Sequence, residues 1–75
     1  MEDLVKFLAE SLVEEPDEVR VSARHSHYTT VINLTVASDD MGRVIGKHGR
    51  VANAMRDVLR AAAANDDKQI ILKIA

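Results

Sequence analysis

The chain has 75 residues, no cysteine and a formal net charge of −2 at pH 7. This length leaves room for one small domain, and the lack of cysteine excludes a disulfide framework and a thiolate metal site. No apolar run approaches the roughly 20 residues that a membrane-spanning helix needs, and the N-terminus is acidic where a secretory signal is basic. The sequence therefore predicts a single cytoplasmic domain over residues 1–75, without a membrane segment.

The first predicted element is a helix over residues 2–14. Leu4, Leu8 and Leu12 recur every four residues, which is the spacing of a helix that buries one face. Three more apolar residues are expected to widen that face: Val5, Phe7 and Val13. Pro16 ends the helix, because proline cannot continue the hydrogen-bonding pattern.

Three strands are predicted from the alternation of apolar and polar residues. They cover residues 18–25, 30–37 and 68–74, and a polar hairpin turn joins the first two. The side chains expected to point into the core are Val19, Val21, Ala23, Ile32, Leu34, Val36, Ile70, Leu72 and Ile74.

Two helices are predicted between the second and third strands. Ser38-Asp39-Asp40 is typical of a helix N-cap, and a short helix follows over residues 41–45. A longer helix of strong helix formers is expected over residues 50–64 and ends at Asn65-Asp66-Asp67. The predicted order of elements is therefore α-β-β-α-α-β.

Charge is distributed unevenly along the chain. Residues 1–20 carry seven acidic and two basic side chains, a net charge of −5. Residues 41–60 carry five basic side chains and one acidic side chain, a net charge of +4, together with all three glycines. The alternative is that these charges lie on helix faces and are simply solvated. Because the cations share one segment with the glycines, an anion-binding site is favoured.

The segment Gly46-Lys47-His48-Gly49 joins the two predicted helices. Glycine permits a positive φ and lets a ligand approach the backbone, and the unpaired N–H groups at the start of the next helix attract anions. Lys47, His48 and Arg50 place positive or protonatable side chains around the same point. This combination predicts a loop that lies along a phosphate backbone.

Three other interpretations of the glycines compete with this one. A nucleoside-triphosphate loop needs four residues between its glycines and a Ser or Thr after the lysine, whereas three residues separate Gly42 from Gly46 and His48 follows Lys47. A dinucleotide-binding fingerprint needs a parallel β-α-β unit, and no such unit is expected in the predicted order. A tight turn without a ligand is the simplest alternative, and the surrounding cations argue against it.

The stretch VIGKHG between two short helices resembles the signature of the KH domain, and α-β-β-α-α-β is the order of its type II, bacterial form. The stretches DEVRV, DDMGRVIGKHGR and MRDVLRAAAA resemble the small single-domain KhpA family across nearly the whole chain. The resemblance implies an α+β fold, a type II KH domain with a three-stranded sheet covered on one face by helices. It also implies an RNA-binding protein with RNA-chaperone activity. Such a protein forms homodimers, pairs with KhpB, influences cell shape and cell-wall homeostasis, and needs no cofactor.

The same resemblance assigns the RNA contacts. KH loops clamp the backbone of about four single-stranded nucleotides, and the bases are expected on an aliphatic groove beside the short helix. The residues assigned to RNA binding in this way are Arg43, Val44, Ile45, Gly46, Lys47, His48, Gly49 and Arg50. With about three phosphate contacts, at about −0.7 each, the slope of log affinity against log salt is expected to be about −2.

The helix predicted over residues 50–64 has a wider apolar surface than one sheet can cover. Ala52, Met55, Leu59 and Ala62 form one stripe, which the KH pattern assigns to the sheet. The neighbouring outer stripe consists of Val51, Ala54, Val58 and Ala61. We expect the outer stripe to form a dimer interface, because two linked RNA sites bind more tightly than one. The alternative is that both stripes belong to the core.

Other classes of function find less support in the sequence. His25 and His27 lie two residues apart without a third ligand at a recognisable spacing, so neither a metal site nor catalysis is expected. The stronger alternative is a protein-interaction module that dimerises or docks KhpB and contacts RNA incidentally. Such a module has no need of cations around two glycines, and single-stranded DNA is a further alternative ligand.

Overall fold

A computed structural model describes residues 1–64 and 68–75 of the chain. Its helices and strands are α1 (Glu2–Leu12), β1 (Arg20–His25), β2 (Thr29–Thr35), α2 (Met41–Ile45), α3 (Arg50–Ala62) and β3 (Gln69–Ile74). Short 3-10 turns occur at Pro16–Glu18, Ser38–Asp40 and Lys47–Gly49. The predicted order α-β-β-α-α-β is confirmed, and the predicted end of the long helix at residues 65–67 lies outside the described residues.

The three strands form one mixed sheet in the order β1-β2-β3. β1 pairs with β2 antiparallel, and β2 pairs with β3 parallel. The expectation that no parallel β-α-β unit is available is therefore wrong, because α2 and α3 connect the two parallel strands. The parallel pair requires a crossover, which α2, the glycine loop and α3 provide. This crossover carries the glycine loop to the end of the sheet at which β2 and β3 finish.

All three helices pack on one face of the sheet, as the resemblance implied. The alternating residues of β2 that face the helices are buried, with Ile32 and Leu34 fully so. They meet Val5 of α1 and Met55 and Leu59 of α3 in one aliphatic core. The inward positions predicted for β1 and β3 also contact this core. A sheet with one covered face and one solvated face is the form that alternating patterns produce.

The buried face of α1 differs from the prediction. Val5 and Ala9 are fully buried, whereas Leu12 is 37% exposed and Phe7 is 65% exposed. Phe7 lies about 200° around the helix from Val5, so the expectation that it widens the buried face is wrong. The helix also ends at Leu12, two residues earlier than expected.

The sheet-facing stripe of α3 is confirmed at three of its four positions. Ala52, Met55 and Leu59 are buried, but Ala62 is exposed. Ala63 is buried instead, because it lies four residues after Leu59 on the same face, and its N–H still donates to the carbonyl of Leu59 at 3.0 Å. None of the helices in residues 1–64 and 68–75 is long and apolar enough to cross a membrane.

Candidate nucleic-acid interface

The glycine loop begins where α2 ends. Gly46 has φ +76° and ψ 170°, and its N–H donates to the carbonyl of Gly42 at 2.9 Å, which closes the last turn of α2. The N–H of Gly49 then donates to the carbonyl of Gly46 at 3.1 Å. The two glycines therefore define a single tight turn that places Lys47 and His48 at its tip.

Gly46 is required by its surroundings as well as by its backbone conformation. A Cβ atom added at this position would lie 2.4 Å from Cγ2 of Val51 and 2.8 Å from the Val51 backbone nitrogen. Real Cβ atoms essentially never lie this close to another heavy atom. The loop can therefore fold back over the first turn of α3 only because residue 46 has no side chain.

The tip of the loop brings the chain into α3 through two left-handed residues. His48 has φ 59° and ψ 24°, and Gly49 has φ 76° and ψ 13°. Histidine is one of the few residues other than glycine that adopts this conformation with some frequency. No side chain caps α3 at Gly49, and the N–H of Arg50 donates to the carbonyl of Lys47. The helix dipole favours an anion at this end of α3.

Three protonatable side chains surround the tip of the loop. Lys47, His48 and Arg50 are all exposed. Within residues 1–64 and 68–75, none of these three side chains forms a hydrogen bond or an ion pair. The charges of Lys47 and Arg50 are therefore available to a ligand rather than neutralised by the protein.

The residues of α2 contribute less to this surface than predicted. The guanidinium of Arg43 is bound to Glu14 at 2.5 Å and lies 3.4 Å from Asp40, so its charge is largely neutralised. Val44 is fully buried in the core, so its predicted RNA contact is wrong for the side chain. Ile45 is 36% exposed and is the apolar residue that α2 presents beside the loop.

Asp40 has a role that the sequence prediction missed. Its side chain is only 3% exposed, and it forms no cap hydrogen bond to α2. Instead, its two oxygens accept hydrogen bonds from the backbone N–H groups of Glu14 and Glu15, at 3.2 and 3.1 Å. The expected N-cap is thus a link between the end of α1 and the start of α2, and no local sequence signal predicts contacts about 25 residues away.

Arg56 is a second residue that the sequence analysis did not single out. One guanidinium nitrogen donates to Asn53 Oδ1 and the other donates to the carbonyl of Leu72, both at 3.2 Å. Leu72 lies on β3, an edge strand of the sheet. Arg56 therefore holds a positive charge beside the free edge of β3, a position that depends on how α3 packs on the sheet.

The outer stripe of α3 is mostly free of the core. Ala54, Val58 and Ala61 are exposed, with Val58 43% exposed. Val51 departs from the prediction, because it is half-buried and packs against the core beside Gly46. A row of three small or branched apolar side chains thus remains on the surface of α3.

The two histidines of the hairpin form no metal site. His25 Nδ1 lies 3.3 Å from the hydroxyl of Thr30, and the ring of His27 packs edge-on against Tyr28. Across the described part of the chain there is no group of three or more His, Cys, Asp or Glu side chains that could hold a metal ion.

Comparison with known proteins gives consistent matches over the whole length. The family model described as KhpA/KhpB, KH domain, matches residues 2–74. The chain is 47% identical to the RNA-binding protein KhpA of Caldanaerobacter subterraneus subsp. tengcongensis and 45% identical to that of Clostridium acetobutylicum, with 99% of both chains covered in each case. It is 41% identical to the RNA-binding protein KhpA of Treponema pallidum, over 97% of this chain and 91% of the relative. No solved structure was found to match.

The match agrees with the structure on each feature that defines the type II KH fold. These features are the order α-β-β-α-α-β and the three-stranded mixed sheet. The family is not enzymatic, which confirms the expectation that the chain is not an enzyme. On this evidence the chain belongs to the KhpA/KhpB KH-domain family.

Proposed function

We propose that this protein binds single-stranded RNA and that its glycine loop clamps the RNA backbone. The observation that carries the proposal is the geometry at residues 46–50, where unneutralised cations surround the uncapped start of α3. Anions bind favourably at a helix N-terminus, where backbone N–H groups and the helix dipole act together. The curated relatives named RNA-binding protein KhpA support RNA as the source of that anion.

The glycines give the phosphates access to these groups. Gly46 and Gly49 carry no side chain that would hold a phosphate away from the turn, and Lys47 and Arg50 are free to pair with it. Side chains and N–H groups that bind phosphate oxygens fix the position of a nucleic acid without reading its sequence. We therefore expect weak binding with little sequence preference.

The bases of the bound strand are expected beside Ile45 and the edge of β3. The carbonyl of Leu72 already accepts a hydrogen bond on this free edge, and unpaired backbone groups of an edge strand can donate to or accept from bases. Aliphatic side chains there offer apolar contact without ring stacking, which agrees with a chain that has one Phe and one Tyr.

The finer biological role follows the family resemblance. We propose that the protein works in the cytoplasm as an RNA chaperone, that it forms a homodimer through Ala54, Val58 and Ala61, and that it also pairs with KhpB. Weak, sequence-tolerant contacts favour chaperone activity, because they let strands exchange quickly. An influence on cell shape and cell-wall homeostasis would arise through the RNAs that it binds.

The binding proposal is tested with a fluorescent single-stranded RNA of mixed sequence, titrated across a range of salt concentrations. The wild type should give a slope of log affinity against log salt of about −2, the value for about three phosphate contacts. The variant Lys47→Asp/His48→Asp should bind at least tenfold more weakly, because it places two carboxylates where the phosphates lie.

The matched control is Lys6→Asp/His27→Asp, which makes the same change of charge at exposed positions of α1 and of the hairpin turn. It should bind RNA within about twofold of the wild type, and circular dichroism should show both variants folded. Equal binding by the loop variant and the control would contradict the proposal. The loop would then not be the RNA site, and the protein-docking function would become the better account.

A further inference from the structure

The face of the sheet that is not covered by helices forms a second surface, which we call the open face. Its strand residues are Arg20, Ser22, Arg24, Thr29, Val31, Asn33, Thr35, Gln69, Ile71 and Lys73. They alternate with the core positions of each strand, and none of them belongs to the hydrophobic core or packs against it. The open face is thus separated from the glycine loop by the thickness of the sheet.

The open face is positively charged and has no acidic residue. Arg20, Arg24 and Lys73 are its charged side chains, and none of the three strands contains Asp or Glu. Arg20 donates to the carbonyls of Asp17 and Val19, which are neutral, so its charge is not cancelled. In a chain with net charge −2, a sheet with three cations and no anion is a marked separation of charge.

The register places these groups in rows across the sheet. One row consists of Arg24, Val31 and Ile71, and the next consists of Ser22, Asn33 and Lys73. Each row therefore has a cation at one edge and an apolar or hydrogen-bonding group at its centre. Adjacent strands are about 4.8 Å apart, so the cations of the two rows lie on opposite edges of a narrow strip.

The free edge of β3 connects the open face to the glycine loop. Arg50 stands at the start of α3, Arg56 binds the carbonyl of Leu72 on the edge of β3, and Lys73 follows on the open face. These three cations form a path from the loop, around β3, to the other side of the sheet. A polyanion held by the loop can follow this path without meeting the acidic helix α1.

We propose that the open face is a second RNA-contacting surface, which binds the phosphate backbone of the strand after it leaves the glycine loop and passes around β3. The proposal extends the proposed function, because it takes RNA as the ligand of the protein. Arg24 and Lys73 pair with phosphates, and Ser22 and Asn33 donate hydrogen bonds to phosphate or ribose oxygens.

The charge of the open face indicates that its ligand is a phosphate backbone rather than another protein chain. The open face has two half-buried apolar side chains, Val31 and Ile71, whereas a stable interface between protein chains needs a larger apolar centre. A second copy of the same face would bring like charges together, which is unfavourable. A phosphate backbone supplies the opposite charge and requires little apolar area.

The test compares two single-stranded RNAs, one of four nucleotides that fills only the loop and one of about 20 nucleotides that can reach around β3. Arg24→Glu/Lys73→Glu should bind the short RNA as the wild type does and the long RNA at least tenfold more weakly. Its salt slope for the long RNA should be flatter by about 1.4, the contribution of two phosphate contacts. Arg24→Gln/Lys73→Gln should show the same trend with a smaller loss.

The charge-matched control is Lys6→Glu/Arg60→Glu, on the helical side of the molecule, which should bind both RNAs as the wild type does. The proposal is overturned if the open-face variants bind the long RNA like this control, or if they change from dimer to monomer in solution. Loss of binding in the loop variant Lys47→Asp/His48→Asp tests the glycine loop separately. If the loop variant binds RNA normally and the open-face variant does not, the glycine loop is refuted as an RNA site and the open face is retained as one.

Discussion

At the scale of single residues, the candidate site depends on backbone conformation more than on side-chain chemistry. Gly46, His48 and Gly49 all have positive φ within four consecutive positions. For residues other than glycine this conformation costs about 1–2 kcal/mol each, and the surrounding turn must hold it in place. Of the three, only His48 carries this strain, at the tip of the loop between the two glycines, and strained backbone is commonly found in functional sites.

The three glycines are therefore expected to respond differently to substitution by alanine. Gly46→Ala should lower the free energy of unfolding by at least about 2 kcal/mol, because it combines positive φ with a clash against Val51. Gly49→Ala should lower it by about 1 kcal/mol, because its φ is positive but the nearest atom to the added Cβ is 3.8 Å away. Urea denaturation measures both changes.

Gly42→Ala serves as the internal control for this series. Gly42 lies within α2 and has no atom within 4 Å of an added Cβ, so alanine should raise the free energy of unfolding by about 0.5 kcal/mol. If all three substitutions instead raise the free energy of unfolding by similar amounts, the glycines act through helix propensity alone and the described loop geometry is wrong.

The sequence indicated positive φ at the loop glycines, but it predicted neither the positive φ of His48 nor the role of Asp40. Glycine marks positive φ directly, because other residues avoid it. Asp40 has the composition and position of a helix N-cap, yet its carboxylate accepts from Glu14 and Glu15. Both uses satisfy unpaired backbone N–H groups, and only the packing of α1 against α2 decides which N–H groups are near.

At the scale of elements, α3 connects the fold to the proposed assembly. Its inner face packs Ala52, Met55 and Leu59 against the sheet, while Val58 and two alanines stay exposed on the outer stripe. Periodicity identified both stripes, because one helix turn relates residues three or four apart. Periodicity could not predict that Val51 is half-buried, because Val51 packs against the core beside Gly46.

The variant Val58→Asp is expected to convert a homodimer into a folded monomer. A carboxylate in the centre of an apolar contact between two copies would lose its hydration without gaining a partner, whereas in the monomer Val58 is 43% exposed and the change is tolerated. Analytical ultracentrifugation measures the oligomeric state, and binding to a long RNA should weaken because two linked sites become one.

Phe7→Asp is the control for this variant, since Phe7 is the more exposed apolar residue, at 65%, and lies on α1. It should leave the dimer intact. A dimer that survives Val58→Asp but dissociates with Phe7→Asp would place the interface on α1 and refute the outer stripe as the contact surface.

At the scale of the whole molecule, the acidic and basic residues occupy different regions. Within residues 1–64 and 68–75, most acids lie in α1, in the segment that follows it and in the turn Ser38–Asp40, and the strands contain none. Net charge alone argues against a nucleic-acid ligand, and it is misleading here because the field at a surface depends on where the charges lie. The charge balance of residues 41–60 was evident from the sequence, whereas the basic open face required the strand register.

The central claim is that the glycine loop contacts RNA, and the most direct measurement is a map of amide chemical shifts. Nitrogen-15-labelled protein is titrated with a four-nucleotide single-stranded RNA, and the proton–nitrogen spectrum is followed residue by residue. We expect the largest changes at the amides of residues 45–50, with smaller changes along the edge of β3. Loop amides that stay unmoved at saturating RNA, or changes centred on α1, would contradict this account.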